Sequence, residues 1–272
     1  MNSSLNNIFI FWSFCFGAVI ASFLNVVIWR VPRGESIVRP PSHCPKCSAP
    51  IRWYQNIPIL SYLALRGRCA SCKTRISPRY IFVEALGGAL FAAAWAYLGG
   101  PWGMVLWPWF ALMIVGSMID FDHHLLPDFV TIGGIVYGLL LNAVFSLLAR
   151  SPAPLFLGIS GLAMGFGVMY LARILGGKLF GREAMGMGDV ILMGAVGAIS
   201  GPVAVLFVLI VGCLAGICGG VTAMALGGKL ERRFEIPFGP YICLAHLVFL
   251  FAGEPIIVWY LGALSRLTGA LG

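Results

Sequence analysis

Two aspartates in this chain sit against long apolar runs, where an ionisable side chain is costly and is by default a candidate for function. Asp120 closes one run in Ser117-Met118-Ile119-Asp120-Phe121-Asp122-His123-His124-Leu125-Leu126-Pro127-Asp128, and Asp189 opens another in Gly186-Met187-Gly188-Asp189. Two carboxyl groups that approach each other cannot both ionise cheaply, so they share a proton. One then serves as base on a water while the other, protonated, polarises a carbonyl. Gly186 and Gly188 would let helices come close enough for Asp189 to meet its partner. A single Gly-x-Gly-Asp says little in a chain with 35 glycines. The other acids have plainer readings. Asp128, after Pro127, reads as a helix N-cap, and Asp122 as interfacial and solvated. Glu84 and Glu183 complete the set of acids at or near apolar runs. His123 and His124 are adjacent, cannot share a helix face, and read as headgroup or substrate contacts rather than metal ligands.

Four of the eight cysteines form a second constellation. Cys44-Pro-Lys-Cys47 and Cys69-Ala-Ser-Cys72 are two CxxC pairs with 21 residues between them, close to a zinc-ribbon spacing. Each pair can present two thiolates to one tetrahedral Zn²⁺. Lys46, Arg68 and Lys73 stand beside them and favour thiolate over thiol. Four thiolates leave no open position for a substrate, so the metal would be structural. Disulfides are the alternative, disfavoured if the loop faces a reducing cytoplasm. Cys15, Cys213, Cys218 and Cys243 lie inside apolar runs and read as small buried hydrophobes.

The elements that must position these groups follow from composition. The 272 residues are 60% hydrophobic and 10% charged, with a mean hydropathy of +0.93. A soluble domain runs about 45–50% apolar and about 25% charged, so a soluble fold, a disordered chain and a secreted disulfide scaffold are excluded. The expected fold is an all-α polytopic membrane protein. Spans of about 20 apolar residues are expected at 8–29, 81–99, 103–120, 129–149, 154–175, 189–200, 203–226 and 238–252. The sixth is short, and its boundary with the seventh at Ser200-Gly201-Pro202 is weak, so eight is the count with seven or nine as alternatives. The tail from Glu254 either extends the eighth helix or lies at the interface.

The net charge of +8 reflects topology rather than nucleic acid, because ten of the 18 Lys and Arg fall between Arg30 and Arg79. The N-terminal MNSSLNN has no basic residue, whereas Arg30 and Arg33 follow the first span at once, the reverse of a signal peptide. With the N-terminus outside, segments 30–80, 121–128, 176–188 and 227–237 are cytoplasmic, and of all basic residues only Arg150 and Arg266 lie outside. That asymmetry obeys the positive-inside rule and puts Asp120 and Asp189 on the same side. The expected organisation is a first transmembrane helix (1–29), a cytoplasmic zinc-stapled loop (30–80) too small to build a strong core alone, and a helical membrane core (81–272).

The run from Asp120 to Pro127-Asp128, followed by Gly186-Met187-Gly188-Asp189, resembles the two-aspartate signature of type IV prepilin peptidases. Further motifs agree along nearly the whole length. They include Gly17 with Ala21-Ser22-Phe23-Leu24-Asn25-Val26-Val27, Arg30-Val31-Pro32, both CxxC pairs, Asn56-Ile57-Pro58 with Ser61-Tyr62, and Arg66-Gly67-Arg68-Cys69. Ile76-Ser77-Pro78-Arg79-Tyr80 leading to Val83-Glu84, and Ile236-Pro237-Phe238-Gly239-Pro240, complete the set. The chain is similar to the long bacterial form, a bifunctional leader peptidase and N-methyltransferase of the inner membrane.

The resemblance implies that Asp120, seven residues before Pro127, and Asp189 are the catalytic pair. It implies removal of a basic leader from type IV prepilins or pilin-like type II secretion subunits, after a glycine at the cytoplasmic membrane face. The new N-terminal residue, usually Phe, would then be methylated from S-adenosylmethionine. No Gly-rich nucleotide fingerprint is present, so the methyl donor is expected at the zinc loop and the first two spans. Glu84 and Glu35, the loop's only acid, are the candidate residues there. An ion pair with Arg79 is the alternative for Glu84. Asn25, three residues after Ser22, reads equally as an interhelical hydrogen-bond residue. Without the resemblance, a proton-coupled transporter or a pilus scaffold would compete. No repeat supports the first, and the second gives no reason for two aspartates on one side.

Overall fold

The structure is a computed structural model that describes residues 3–181, 185–225 and 237–269. Its helices are α1 (Ser3–Arg30), α2 (Leu60–Ala64), α3 (Arg79–Tyr97), α4 (Trp107–His123), α5 (Asp128–Ala149), α6 (Ala153–Phe180), α7 (Met187–Ala225) and α8 (Gly239–Gly269). Among the described residues there is no strand, and seven helices are long and apolar enough to cross a membrane. The chain divides into two compact units, Met1–Ile119 and Asp120–Gly272.

In the first unit, α1 packs along α3 through small residues. A Cβ on Gly17 would lie 2.5 Å from the Gly87 carbonyl, and one on Gly87 would lie 2.5 Å from Cβ of Ala21. Close backbone approach of this kind lets helices associate where lipid offers no hydrophobic drive. Side-chain bonds fix the register: Asn25 Nδ2 donates to the Tyr80 carbonyl at 3.1 Å and Trp95 Nε1 to Asn6 Oδ1 at 3.1 Å. Asn25 is thus used between helices. The loop leaving α1 is pinned by Arg30, whose guanidinium donates to the carbonyls of Ser36 and Pro40, both at 2.8 Å.

In the second unit, α7 accounts for two of the expected spans, 189–200 and 203–226. A straight 39-residue helix would run roughly 58 Å. Instead its two ends return to one place. Gly188 lies against Leu126, as does Gly239 at the start of α8, and a Cβ on Gly216 would lie 3.8 Å from Phe238 and Tyr241 in the same region. The chain therefore folds back on itself at Gly201, whose φ of 80° and ψ of −177° are not helical, with Pro202 following. This hairpin of two arms reconciles seven long helices with eight expected crossings.

A break at membrane depth must satisfy the carbonyls it frees. Asn142 Nδ2 donates to the Ala198 carbonyl at 2.8 Å, and Ser200 Oγ pairs with His246 Nε2 at 2.8 Å. α6 packs on the first arm through Gly161 and Gly197, where a Cβ on either would collide with the other's carbonyl. α8 continues through Glu254 and Pro255 to Gly269, so the tail extends the last helix.

Candidate active site and metal centre

Asp120 stands one turn before the end of α4 and is only 6% exposed. Its Oδ2 accepts the main-chain N–H of Gly239, the first residue of α8, at 3.0 Å. Its own carbonyl accepts the N–H of His124 at 2.9 Å and closes the end of α4. Asp189 lies in the first turn of α7, and its Oδ1 is buried with no hydrogen-bond partner among the described residues. The two carboxyl groups are close enough to act on each other electrostatically.

Leu126 is the spacer that sets this geometry. A Cβ on Gly188 would lie 2.8 Å from Cβ of Leu126, and a Cβ on Gly239 would lie 3.3 Å from its Cδ2 and 2.7 Å from Asp120 Oδ2. Both helix starts close onto one leucine because both carry glycine. Gly186 is less constrained, since a Cβ there would meet Asp189 Oδ2 only at 3.8 Å. Arg173 Nε donates to the Met185 carbonyl at 3.1 Å and holds the approach to this turn. The arrangement offers one carboxyl oriented by a main-chain donor beside another with an orphaned oxygen. A buried polar atom without a partner is costly, and Asp189 Oδ1 is such an atom.

The remaining acids and histidines are elsewhere. Asp122, His123 and His124 are exposed, and His124 adopts φ 51° at the turn that follows α4. Asp128 is not the N-cap of α5. Pro127 takes that position with no side-chain cap, and Asp128 lies in the first turn, where its charge still suits the helix dipole. Glu183 and Ile236 lie outside the described residues. Gly239 has a contact with Asp120 that sequence reading did not assign, although the run Pro237-Phe238-Gly239-Pro240 was its visible sign.

The four loop cysteines converge. Their sulfurs all lie within 4.8 Å of one another, with Cys44 and Cys72 Sγ 3.9 Å apart. Tetrahedral Zn–S bonds of about 2.3 Å place sulfurs about 3.8 Å apart, so the cluster fits zinc. None of the eight cysteines is in a disulfide. Main-chain N–H groups of Cys72 and Ser71 bring the Cys69 thiol down to about 6, and those of Cys47 and Lys46 lower Cys44 in the same way. Each CxxC turn thus shifts its first cysteine toward the thiolate, the form that binds metal.

Glu84 on α3 is buried, and its Oε2 accepts the N–H of Ile59 at 2.8 Å. Ile59 has φ 62°, a strained conformation for a β-branched residue. Glu84 therefore holds a strained turn of the loop. Glu35 is exposed after the turn that follows α1, its N–H bonded to the Arg30 carbonyl.

Comparison with known proteins gives a consistent result. Residues 15–98 match the bacterial Peptidase A24 N-terminal domain, and residues 104–221 match the Type IV leader peptidase family. The chain is 39% identical over 233 residues to a prepilin leader peptidase/N-methyltransferase of Myxococcus xanthus, covering 84% of this chain and 67% of that one. It is 36% identical to a type 4 prepilin-like proteins leader peptide-processing enzyme of Escherichia coli, over 86% and 91% of the two chains. It is 34% identical to a prepilin leader peptidase/N-methyltransferase of Pseudomonas aeruginosa, over 93% of each. No solved structure matches significantly.

Proposed function

The chain belongs to the type IV leader peptidase family, and on that premise we propose that it is a bifunctional prepilin leader peptidase and N-methyltransferase. It removes the basic leader of type IV prepilins or pilin-like type II secretion subunits after a glycine, at the cytoplasmic face of a bacterial inner membrane. It then methylates the new N-terminal residue from S-adenosylmethionine.

The single observation that carries the peptidase is the convergence of Asp120 and Asp189 about Leu126. In this reading the pair works on a peptide bond presented at the membrane boundary. One carboxylate takes a proton from the water whose oxygen bonds to the scissile carbonyl carbon. The other carboxyl, protonated, donates to the carbonyl oxygen, and the proton taken from water passes to the amine as the C–N bond breaks. Gly186 and Gly188 support Asp189 by leaving room around the start of α7. A prepilin, whose N-terminal helix is itself apolar, delivers its cleavage site from within the bilayer.

Cys44, Cys47, Cys69 and Cys72 would hold one structural Zn²⁺, which keeps the loop folded. Segment 30–80 is the methyltransferase region, between the first helix (1–29) and the aspartyl peptidase core (81–272). The methyl donor supplies an electrophilic methyl group to the new amine. Glu84 serves by holding the Ile59 turn, and Glu35 is the exposed acid available to a cationic ligand. The N-terminus is outside, the loop and both aspartates are on the cytoplasmic side, and nucleic acid has no part. The test is incubation of the purified protein with a synthetic prepilin and S-adenosylmethionine, followed by mass spectrometry. A product lacking the leader and carrying one added methyl group supports the reading; an intact prepilin contradicts it.

A further inference from the structure

The loop contains a cavity of about 480 Å³ lined by Tyr62, Arg66, Arg68, Arg75, Ser77 and Pro78 among others. It has three guanidinium groups and no acid. Arg68 and Arg75 face each other across an isolated antiparallel bridge, an apposition of like charges that costs stability unless something neutralises it. Among the described residues none of the three guanidinium groups makes a hydrogen bond or ion pair. Tyr62 is held in the wall by its hydroxyl, which donates to the Ile76 carbonyl at 3.3 Å. Arg66 with φ 51° and Gly67 with φ 62° turn the chain around the opening.

Position identifies the anion. Ser77 and Pro78 lead directly into α3, a helix of membrane-crossing length that starts at Arg79. α2, which supplies Tyr62, also carries Leu60 and Leu63, 66% and 59% exposed and three residues apart on one face. A basic pocket that takes one wall from a helix with exposed leucines and another from the foot of a spanning helix matches a phospholipid, phosphate to the arginines and glycerol ester to the leucines. The methyl donor does not fit, since its sulfonium and ammonium outweigh its one carboxylate against three guanidiniums.

We propose that this pocket binds the phosphate headgroup of an anionic phospholipid and so seats the zinc loop on the membrane surface. Basic side chains near an anionic membrane contribute about 1 kcal/mol each, so removing three should weaken binding about a hundredfold. The experiment titrates the detergent-solubilised full chain with short-chain phosphatidylglycerol, phosphatidylcholine and inorganic phosphate. The parent is compared with the pocket variant Arg66→Gln/Arg68→Gln/Arg75→Gln and with Arg39→Gln/Lys46→Gln/Arg52→Gln, which removes equal charge elsewhere on the loop. Zinc content of each reports that the loop is folded.

The expected result is preference for phosphatidylglycerol, lost in the zinc-replete pocket variant and kept in the other. Equal loss in both variants would reduce the effect to general loop charge and overturn the proposal. So would no preference between the two lipids, or inorganic phosphate binding as tightly as phosphatidylglycerol, which would make the ligand a soluble anion. If the pocket variant loses its zinc, Arg68→Lys/Arg75→Lys replaces it. These keep the charge but not the bidentate fork, and unchanged lipid affinity there would also overturn the proposal.

Discussion

The main-chain N–H of Gly239 donates to Oδ2 of Asp120 at 3.0 Å, joining residues 119 positions apart. The bond orients one carboxyl oxygen and, if Asp120 is catalytic as proposed, leaves the other for chemistry. It needs glycine, because a Cβ at position 239 would stand 2.7 Å from that same oxygen. Gly239→Ala should therefore displace Asp120 while leaving the bundle assembled. Misplacement of a catalytic group by about 1 Å costs on the order of a hundredfold, so we expect a fall in kcat of that size with unchanged zinc content. Full activity in Gly239→Ala would mean that the hydrogen bond does not position Asp120.

Zinc should stabilise the loop and take no part in cleavage. Metal analysis of the purified protein should return one Zn²⁺ per chain, and Cys47→Ser should lower that figure and the melting temperature. Because the metal holds only segment 30–80, methyl transfer should fall much further than leader cleavage. Equal loss of both activities would tie the metal to the peptidase.

Glu84 separates a positional from an ionic role. Gln retains an acceptor for the Ile59 N–H, whereas Leu leaves that N–H unpaired at a cost of about 1–3 kcal/mol. Glu84→Leu should thus destabilise the loop and depress methylation, while Glu84→Gln stays near the parent in thermal stability. Methylation lost in a stable Glu84→Gln would instead show that the negative charge itself is needed.

Much of this was legible in the sequence because the signals were costs. Acids in apolar runs are expensive, and that put Asp120 and Asp189 among the candidate acids; paired CxxC spacing has few uses, and that marked the four cysteines whose sulfurs the structure brings together. The hairpin in α7 was half legible. Residues 189–200 are too few to span alone, and Ser200-Gly201-Pro202 looked like a weak boundary, but the sequence does not say that the chain reverses there. Ser200 with His246 and Asn142 with the Ala198 carbonyl join residues 46 and 56 positions apart, and no periodicity announces such bonds. Pro127 takes the cap in place of Asp128, so the helix begins one residue earlier than the side chain suggested, with Asp128 already in its first turn.

The α6–α7 contact gives a stability prediction free of catalysis. Gly197→Val would drive a branched side chain into the Gly161 carbonyl, and overpacking of this kind costs about 1–3 kcal/mol or more. We expect a marked drop in melting temperature in detergent, read by tryptophan fluorescence. An unchanged melting temperature would mean that the helices do not approach as closely as described.

Asp120 and Asp189 are expected to act as one catalytic pair. This is tested most directly by measuring leader cleavage of a model prepilin in liposomes by the parent protein, Asp120→Asn, Asp189→Asn and Asp122→Asn. The first two variants should remain folded and zinc-loaded yet lose cleavage altogether, while Asp122→Asn, altered at an exposed position, should retain it. Cleavage that survives the loss of either Asp120 or Asp189 would mean that the two do not act as a catalytic pair.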